Sequence, residues 1–414
     1  MPHPFANIPV GKLESLNALQ AQFTADTRPE KADLMCGVYQ TEQGTPYVFP
    51  SVKLARQMMS DDPEWEHEYP SSHLGEAAFR DLILRSYKNA NIYICFFMYR
   101  LASMQSLGAS GACHMGAKFL RLHYEPYKAN TKAKIYIPAE SWANHVNVFQ
   151  YVGFEVETIP YYNAVNHSFD MEAFTAFITD IPDQSIVVLQ VCGNNPTGCD
   201  PTPQEWQALA QTFKAKSHFA FLDLSYPGFG SGNVYDDCVP IRLFTTLEIP
   251  LALAVTYGKS FGLYGERVGH LCLPLPTEEL TKRAETHMKL LARAETGAQP
   301  RFGAKIIVNI LKTPHLKAVW EEDLRGLAID LHKRRSLLQK TLTKNTTTPD
   351  WSFVTDQRGM FLFTSFDAQQ ITYLREECAV YLQDTGRLSI AGLNSKNIPH
   401  VAKSMADAVE LHKD

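Results

Sequence analysis

The stretch LALAVTYGKSFGLYGERVG, from Leu251 to Gly269, decides how this chain is read. Leu251 to Val255 is an apolar, strand-like run. Past its end the pattern turns polar and glycine-rich. Lys259 stands between Gly258 and Gly262, and Arg267 follows eight residues after it. A lysine at that point has little to do for a core. It is a solvated surface charge, a phosphate ligand, or a nucleophilic amine of the kind that forms Schiff bases with carbonyl groups, and its neighbours must decide. Gly258-Lys259-Ser260 imitates the end of a P-loop. That motif needs a glycine five residues before Gly258, where this chain has Leu253, so the nucleotide-triphosphate reading is rejected.

The 414 residues are too many for a single compact core and predict two domains. An apolar content of 45% with 20% charged residues is ordinary for a soluble globular enzyme. A net charge of −5 argues against nucleic-acid binding, which usually carries a basic excess. The eight cysteines show no CxxC pair and no Cys/His ligand spacing, so reduced thiols and no metal are expected. The longest apolar run, near Ile92 to Tyr99, is too short to span a bilayer. The first residues, MPHPFANIPVGKLESL, have neither a secretory apolar core nor an Arg-rich transit pattern. A cytoplasmic chain with no membrane or nucleic-acid partner is expected, with the mitochondrial matrix left as a second address.

Residues 1–47 read as an N-terminal arm, a short helical piece and turns at Gly37 and Gly44. Pro50 to Met59 and Glu76 to Tyr87 are helix-like, with a break at Glu68-Tyr69-Pro70-Ser71-Ser72. Met104 to Ala112 is small and glycine-rich and feeds an amphipathic helix, Cys113 to Tyr124. A Gly/Ser loop opening a helix offers free backbone N–H groups to an anion, although an ordinary helix cap reads the same way. From Lys134 short apolar strands alternate with helices such as Glu205 to Lys216. The strands are Lys134–Ile137, Phe154–Ile159, Ser185–Val191, Phe219–Leu224, Leu251–Val255 and His270–Leu275. The alternation predicts an α/β fold with a mainly parallel central sheet. After about residue 325 the character changes. A charged helix, Leu327 to Lys344, precedes a strand-rich segment from Trp351 to Phe366. A helix from Glu376 to Asp384, a turn and strand from Gly386 to Leu393 and a last helix follow. The expected division is 1–47 as arm and part of a small domain, 48–325 as a large domain, and 326–414 as the rest of a smaller α+β domain.

Three of the strands deliver chemistry at their ends. One runs into Cys192-Gly193-Asn194-Asn195-Pro196-Thr197-Gly198, the next brings Asp223 and Tyr226, and the third brings Lys259. In a parallel sheet, ligands bind beyond the carboxyl ends of the strands. An aspartate at one strand end is most often a cap. An amide, a carboxylate, a phenol and an amine at successive strand ends point instead to one site.

With these segments in hand, the chain resembles the class I pyridoxal-phosphate aminotransferases, and among them the aspartate aminotransferases. The resemblance spans Gly37 to Gly392. It rests on Asn195-Pro196-Thr197-Gly198, on Asp223-Leu224-Ser225-Tyr226, and on Lys259-Ser260-Phe261-Gly262-Leu263-Tyr264 with Glu266-Arg267-Val268-Gly269. Glu68-Tyr69, Ser141-Trp142-Ala143-Asn144-His145 and Gly386-Arg387 complete it. It implies fold type I of the pyridoxal-phosphate enzymes, with the cofactor in the large domain, and a homodimer whose sites are shared between subunits. It also implies amino-group transfer between L-aspartate and 2-oxoglutarate. An aromatic or broad-specificity aminotransferase is the alternative on the same scaffold.

The resemblance also assigns roles. Lys259 would hold the aldehyde of pyridoxal 5'-phosphate and shuttle a proton. Asp223 would pair with the ring nitrogen, and Tyr226 and Asn195 would bond the ring 3' oxygen. Gly108, Ala109, Ser110, Thr256 and Arg267 would hold the phosphate, and Tyr69 would reach the phosphate of the neighbouring subunit. Trp142 would stack on the ring, and Gly37 would let the backbone approach the substrate. Arg387 would clamp the α-carboxylate and Arg293 the distal carboxylate, with Arg301 as its competitor should the loop register slip. Three departures from the family pattern stand out: Gly108-Ala109-Ser110 in the phosphate loop, Asn194 before the conserved-type amide, and Thr296-Gly297-Ala298-Gln299-Pro300 near the distal pocket.

Overall fold

The computed structural model describes residues 3–9, 15–82, 101–128, 133–346 and 348–411. Seven strands form its main sheet: β1 Leu101–Leu107, β2 Lys134–Pro138, β3 Glu155–Ile159, β4 Ile186–Gln190, β5 Phe219–Leu224, β6 Leu251–Thr256 and β7 Val268–Pro274. Their spatial order is β1-β7-β6-β5-β4-β2-β3. All neighbours run parallel except β7, which is antiparallel to both β1 and β6. The expected α/β class and mainly parallel sheet are therefore what the chain forms.

β4, β5 and β6 are buried at every residue, as parallel strands covered on both faces must be. Alternate side chains enter two different cores. Val187, Leu189, Leu222 and Leu253 face one, and Val188, Phe221, Ala252 and Ala254 face the other. That two-sided burial explains why these strands read as apolar runs up to Gln190, Asp223 and Thr256 near their ends.

β1 was not anticipated, because Met104 to Ala112 reads as a Gly/Ser loop. In the fold, Leu101 to Leu107 pairs residue for residue with Pro274 to Val268. Ser103, Gln105 and Ser106 are buried there, so tertiary pairing overrides their weak strand preference. The helix that follows begins at Gly108, five residues earlier than expected, and runs to His123.

In the C-terminal part, a long helix runs from Pro314 to Asn345, with its proline in the first turn where a missing N–H does no harm. The segment from Trp351 to Phe366 holds a helical turn, Phe353–Asp356, and one short strand, Phe361–Phe363, paired with Arg387–Ser389. The helix expected over Glu376 to Asp384 is displaced. It lies at Ala368–Glu376, started by a capping box between Asp367 and Gln370. Val380–Tyr381 is instead a strand paired with Ala32–Asp33. Residues before 48 thus pack on the C-terminal segment: Tyr39 donates to Asp330 at 2.6 Å and Arg334 donates to the Gln40 carbonyl at 2.8 Å.

The helix expected from Glu76 to Tyr87 is helical over 77–82. Its remainder and the Ile92 to Tyr99 run lie outside the described residues. Among those described, no helix is long and apolar enough to cross a membrane, and no three His, Cys, Asp or Glu side chains are grouped to hold a metal.

Candidate active site

The site forms where β4, β5 and β6 end side by side. Gln190 is in register with Asp223, and Asp223 with Ala254, so the loops beyond them emerge together. Lys259 Nζ lies 4.5 Å from the centre of the Tyr226 ring. Burial pulls the Lys259 amine down to about 8; Asp223 opposes that shift, and Arg267 and Arg387 add to it. An amine near 8 releases its proton readily at neutral pH, as a base or nucleophile must.

Asp223 is buried, with both oxygens engaged. Ser225 Oγ donates to Oδ1 at 2.7 Å, and His145 Nε2 lies 3.2 Å from Oδ2. The other ring nitrogen of His145 lies 2.8 Å from Ser141 Oγ, and the Trp142 ring meets the imidazole edge-on at 5.2 Å. His145 is fully buried. In the sequence this histidine is one residue of the Ser141–His145 motif, with no role of its own. Its contact with Asp223 crosses 78 positions of chain, which only the fold reveals.

Asn195 sits between the two sides of the site. Its Nδ2 donates to the Tyr226 hydroxyl at 3.4 Å, and its Oδ1 accepts from Arg387 Nη1 at 2.9 Å. Burial raises the Tyr226 phenol well above its ordinary range. Arg387 also donates to the Met35 carbonyl at 2.5 Å and lies 4.1 Å over the Phe361 ring. Its Nε is buried and has no partner among the described residues. Gly37 is needed nearby, because a Cβ there would meet Phe361 at 2.8 Å. The Asn195 loop is braced from below. Asp200 accepts from the Gly193 and Asn194 amides at 2.6 and 2.9 Å, and burial raises its carboxyl to about 6. Asn194 joins this bracing through Thr197 Oγ1 at 2.7 Å and the Glu140 carbonyl at 3.1 Å.

At the other end, Gly108 opens its helix at φ +64°, and a Cβ there would come within 2.8 Å of Arg267 Nη2. The preceding Leu107 gives that helix no side-chain cap. Its free N–H groups, with Ala109 and Ser110 in the first turn, are open to an anion. Asn144 donates to Ser110 Oγ at 3.4 Å, and Thr256 Oγ1 accepts from the Gly258 amide at 3.3 Å. Among the described residues Arg267 has no acidic partner. Its Nη1 donates to the Tyr264 carbonyl at 3.3 Å, and an uncapped helix start beside a guanidinium without a carboxylate suits a phosphate. A lysine, a buried carboxylate and a phenol–amide pair suit an aldehyde, a ring nitrogen and a ring oxygen. The donor set therefore fits pyridoxal 5'-phosphate.

Two expected site residues stand outside this group within one chain. Tyr69 is 79% exposed. Arg293 is exposed in the last turn of the helix Glu278–Glu295, and its side chain makes no hydrogen bond or ion pair among the described residues. Arg301 is engaged elsewhere: Nε donates to Glu76 at 3.2 Å and Nη1 to the Glu68 carbonyl at 2.7 Å.

Comparison with known proteins points the same way. The sequence pattern of the family described as "Aminotransferase class I and II" matches residues 29–405. The cytoplasmic aspartate aminotransferase of Gallus gallus is 34% identical over 406 residues, covering 98% of each chain. The solved cytoplasmic aspartate aminotransferase of Saccharomyces cerevisiae superimposes with a TM-score of 0.93 at 32% identity, covering 99% of both chains. An aromatic-amino-acid aminotransferase of Burkholderia pseudomallei, solved covalently bound to pyridoxal phosphate, gives 0.91 at 31% identity over 98% of this chain and 99% of that one.

Proposed function

The chain belongs to the class I and II aminotransferases, which use pyridoxal phosphate, and on that premise we propose that it exchanges amino groups between L-aspartate and 2-oxoglutarate. The products are oxaloacetate and L-glutamate. The observation that carries this reading is the pair of arginines. Among the described residues Arg387 has a buried Nε without a partner, near the neighbours of Lys259, and Arg293 is free where Arg301 is tied to Glu76. One guanidinium for each carboxylate of a dicarboxylic substrate is the arrangement this chemistry needs.

Bound at this site, pyridoxal 5'-phosphate supplies an aldehyde and an electron-withdrawing ring that absorbs carbanion charge. The chain supplies the rest. Gly108, Ala109, Ser110, Thr256 and Arg267 would hold the phosphate, Trp142 the ring face, and Tyr226 with Asn195 the ring oxygen. Asp223, oriented by Ser225 and His145, would keep the ring nitrogen positive. Lys259 takes and returns a proton at Nζ. Arg387 binds the α-carboxylate and so fixes which substrate bond faces Lys259. The proposal extends to a division near residues 48 and 325, to cytoplasmic residence, and to a homodimer. In that dimer Tyr69 and Arg293 serve the neighbouring subunit's site, which accounts for their exposure here.

A donor panel tests the substrate. Aspartate should exceed phenylalanine and tyrosine in kcat/KM by at least about tenfold, the effect of one paired charge. Equal or better turnover of aromatic donors would establish the broad-specificity alternative. For the dimer, an inactive Lys259→Ala chain mixed with an inactive Tyr69→Phe/Arg293→Leu chain should recover part of the activity. No recovery despite demonstrated subunit exchange would exclude shared sites.

A further inference from the structure

The segment from Trp65 to Gly75 has no helix or strand of its own, yet it is folded about one guanidinium. Arg301 Nη1 donates to the Glu68 carbonyl at 2.7 Å and lies 3.7 Å from Glu66 Oε1. Its Nε donates to Glu76 Oε2 at 3.2 Å, and its Cζ lies 5.8 Å from the Trp65 ring. Lys305 reaches the other Glu76 oxygen at 3.3 Å. Two further bonds close the same seam. His73 Nδ1 lies 2.8 Å from the Gly297 carbonyl, and Gln105 Nε2 donates to the Pro300 carbonyl at 2.6 Å. Gln105 Oε1 also accepts from the Glu76 amide at 3.0 Å. The loop is pressed onto Gln105 so closely that a Cβ on Gly75 would lie 2.4 Å from Gln105 Cβ.

An isolated exposed ion pair contributes little. Here the Arg301 and Glu76 side chains are only 17% and 12% exposed, and the guanidinium also carries a backbone carbonyl, so removing it loses a part-buried pair and a backbone contact together. The seam joins two segments. One bears Tyr69. The other, residues 296–301, follows the helix Glu278–Glu295, whose last turn carries Arg293, and departs from the family pattern. The exposed Tyr69 side chain lies in the first segment, the exposed Arg293 side chain lies one turn before the second, and neither has a bond in its own chain among the described residues. Ordering them only on substrate arrival would cost rotamer and loop entropy at every turnover.

We propose that Arg301 is a positioning residue that locks the Tyr69 segment to the Arg293 segment. The cofactor-phosphate contact and the distal-carboxylate contact are then presented to the neighbouring subunit as one rigid unit. This rests on the roles given to Tyr69 and Arg293 above. Its particular consequence is a coupled loss. One substitution, of a residue touching neither cofactor nor substrate, should weaken both cofactor retention and dicarboxylate selectivity.

The test uses the full-length dimer with Arg301→Ala and Arg301→Lys, and with Tyr69→Phe and Arg293→Leu as references. Arg301→Ala should lower kcat/KM for aspartate roughly tenfold, chiefly through KM, and change phenylalanine by less than about threefold. It should weaken pyridoxal-phosphate binding to the apo dimer by roughly tenfold and speed amide exchange over 65–76 and 296–301. Arg301→Lys should recover part of each effect, keeping the Glu76 pair and losing the fork to Glu68. Unchanged exchange over both segments in Arg301→Ala overturns the clasp whatever the kinetics. So does an equal loss on aspartate and phenylalanine with normal cofactor binding. If Arg293→Leu itself spares aspartate, the role of Arg293 fails, while exchange and cofactor binding in Arg301→Ala still decide the clasp.

Discussion

Arg387 Nη1 donates to Asn195 Oδ1 at 2.9 Å, and this bond joins a residue of the C-terminal segment to the loop after β4. The same amide turns its Nδ2 to Tyr226. On the roles proposed above, Asn195 would align the arginine for the substrate carboxylate and the phenol for the ring oxygen at once. Removing it leaves a buried guanidinium N–H bare. A hydrogen bond to a charged group contributes about 1.5–3 kcal/mol, so Asn195→Ala should raise KM roughly ten- to a hundredfold. The rise should be alike for aspartate, glutamate and phenylalanine, because all share the α-carboxylate. Steady-state kinetics on the three donors check this, and a loss confined to dicarboxylates would be the contrary result.

Lys259 predicts a pH dependence. Burial depresses its amine to about 8, from an ordinary value of 10.5. Only the neutral amine is nucleophilic. The rate at which the apo chain captures pyridoxal phosphate should therefore rise as pH increases through about 8 and level off above it. An unperturbed lysine would keep rising toward 10.5. Stopped-flow absorbance from pH 6 to 10 distinguishes the two, and Lys259→Ala should capture none. After borohydride reduction, peptide mapping should place the adduct on Lys259.

Asp223→Ala should bind the cofactor yet lose most turnover, because the ring nitrogen is no longer held positive. A drop in kcat of at least about a hundredfold is expected for a charge contact that strengthens in the transition state. Near-normal turnover would remove Asp223 from the reaction. His145→Ala should cause a smaller loss, since Ser225 still holds Oδ1.

Gly108→Ala tests the phosphate cradle. The residue sits at φ +64°, and the added methyl would lie 2.8 Å from Arg267 Nη2. Left-handed strain of about 1–2 kcal/mol adds to displacement of the guanidinium. Cofactor affinity should fall roughly tenfold or more, with only a small change in the Tm of the apo protein. Affinity measured by titrating the apo chain settles the matter, and an unchanged value would move the phosphate elsewhere.

Arg293→Leu should lower kcat/KM for aspartate by roughly two to three powers of ten. Breaking a desolvated charge pair costs about 3–5 kcal/mol, and about 1.36 kcal/mol is tenfold. Phenylalanine presents no distal carboxylate, so its kcat/KM should stay within about tenfold or rise. A proportional loss on both substrates would make Arg293 structural.

Much of this was legible in the chain itself. Ile186–Leu189, Phe219–Leu222 and Leu251–Val255 are apolar at every position because their strands are buried on both faces. That pattern marks α/β strands without reference to any partner. Chemical residues placed just past such runs lie at a sheet's carboxyl edge by topology alone.

Other features depend on contacts that no local pattern carries. β1 is a strand because β7 lies beside it, and its serines and glutamine read as loop until that neighbour is supplied. The strand at Val380–Tyr381 needs Ala32–Asp33 from the other end of the chain, and without it the segment reads as helix. His145 meets Asp223, and Arg301 meets Glu76, only across the fold. Local sequence thus determined which residues follow β4, β5 and β6, since period and burial act over a few neighbours. Tertiary structure decided which side chains meet, because hydrogen bonds and charge pairs act between atoms brought together only when distant segments pack.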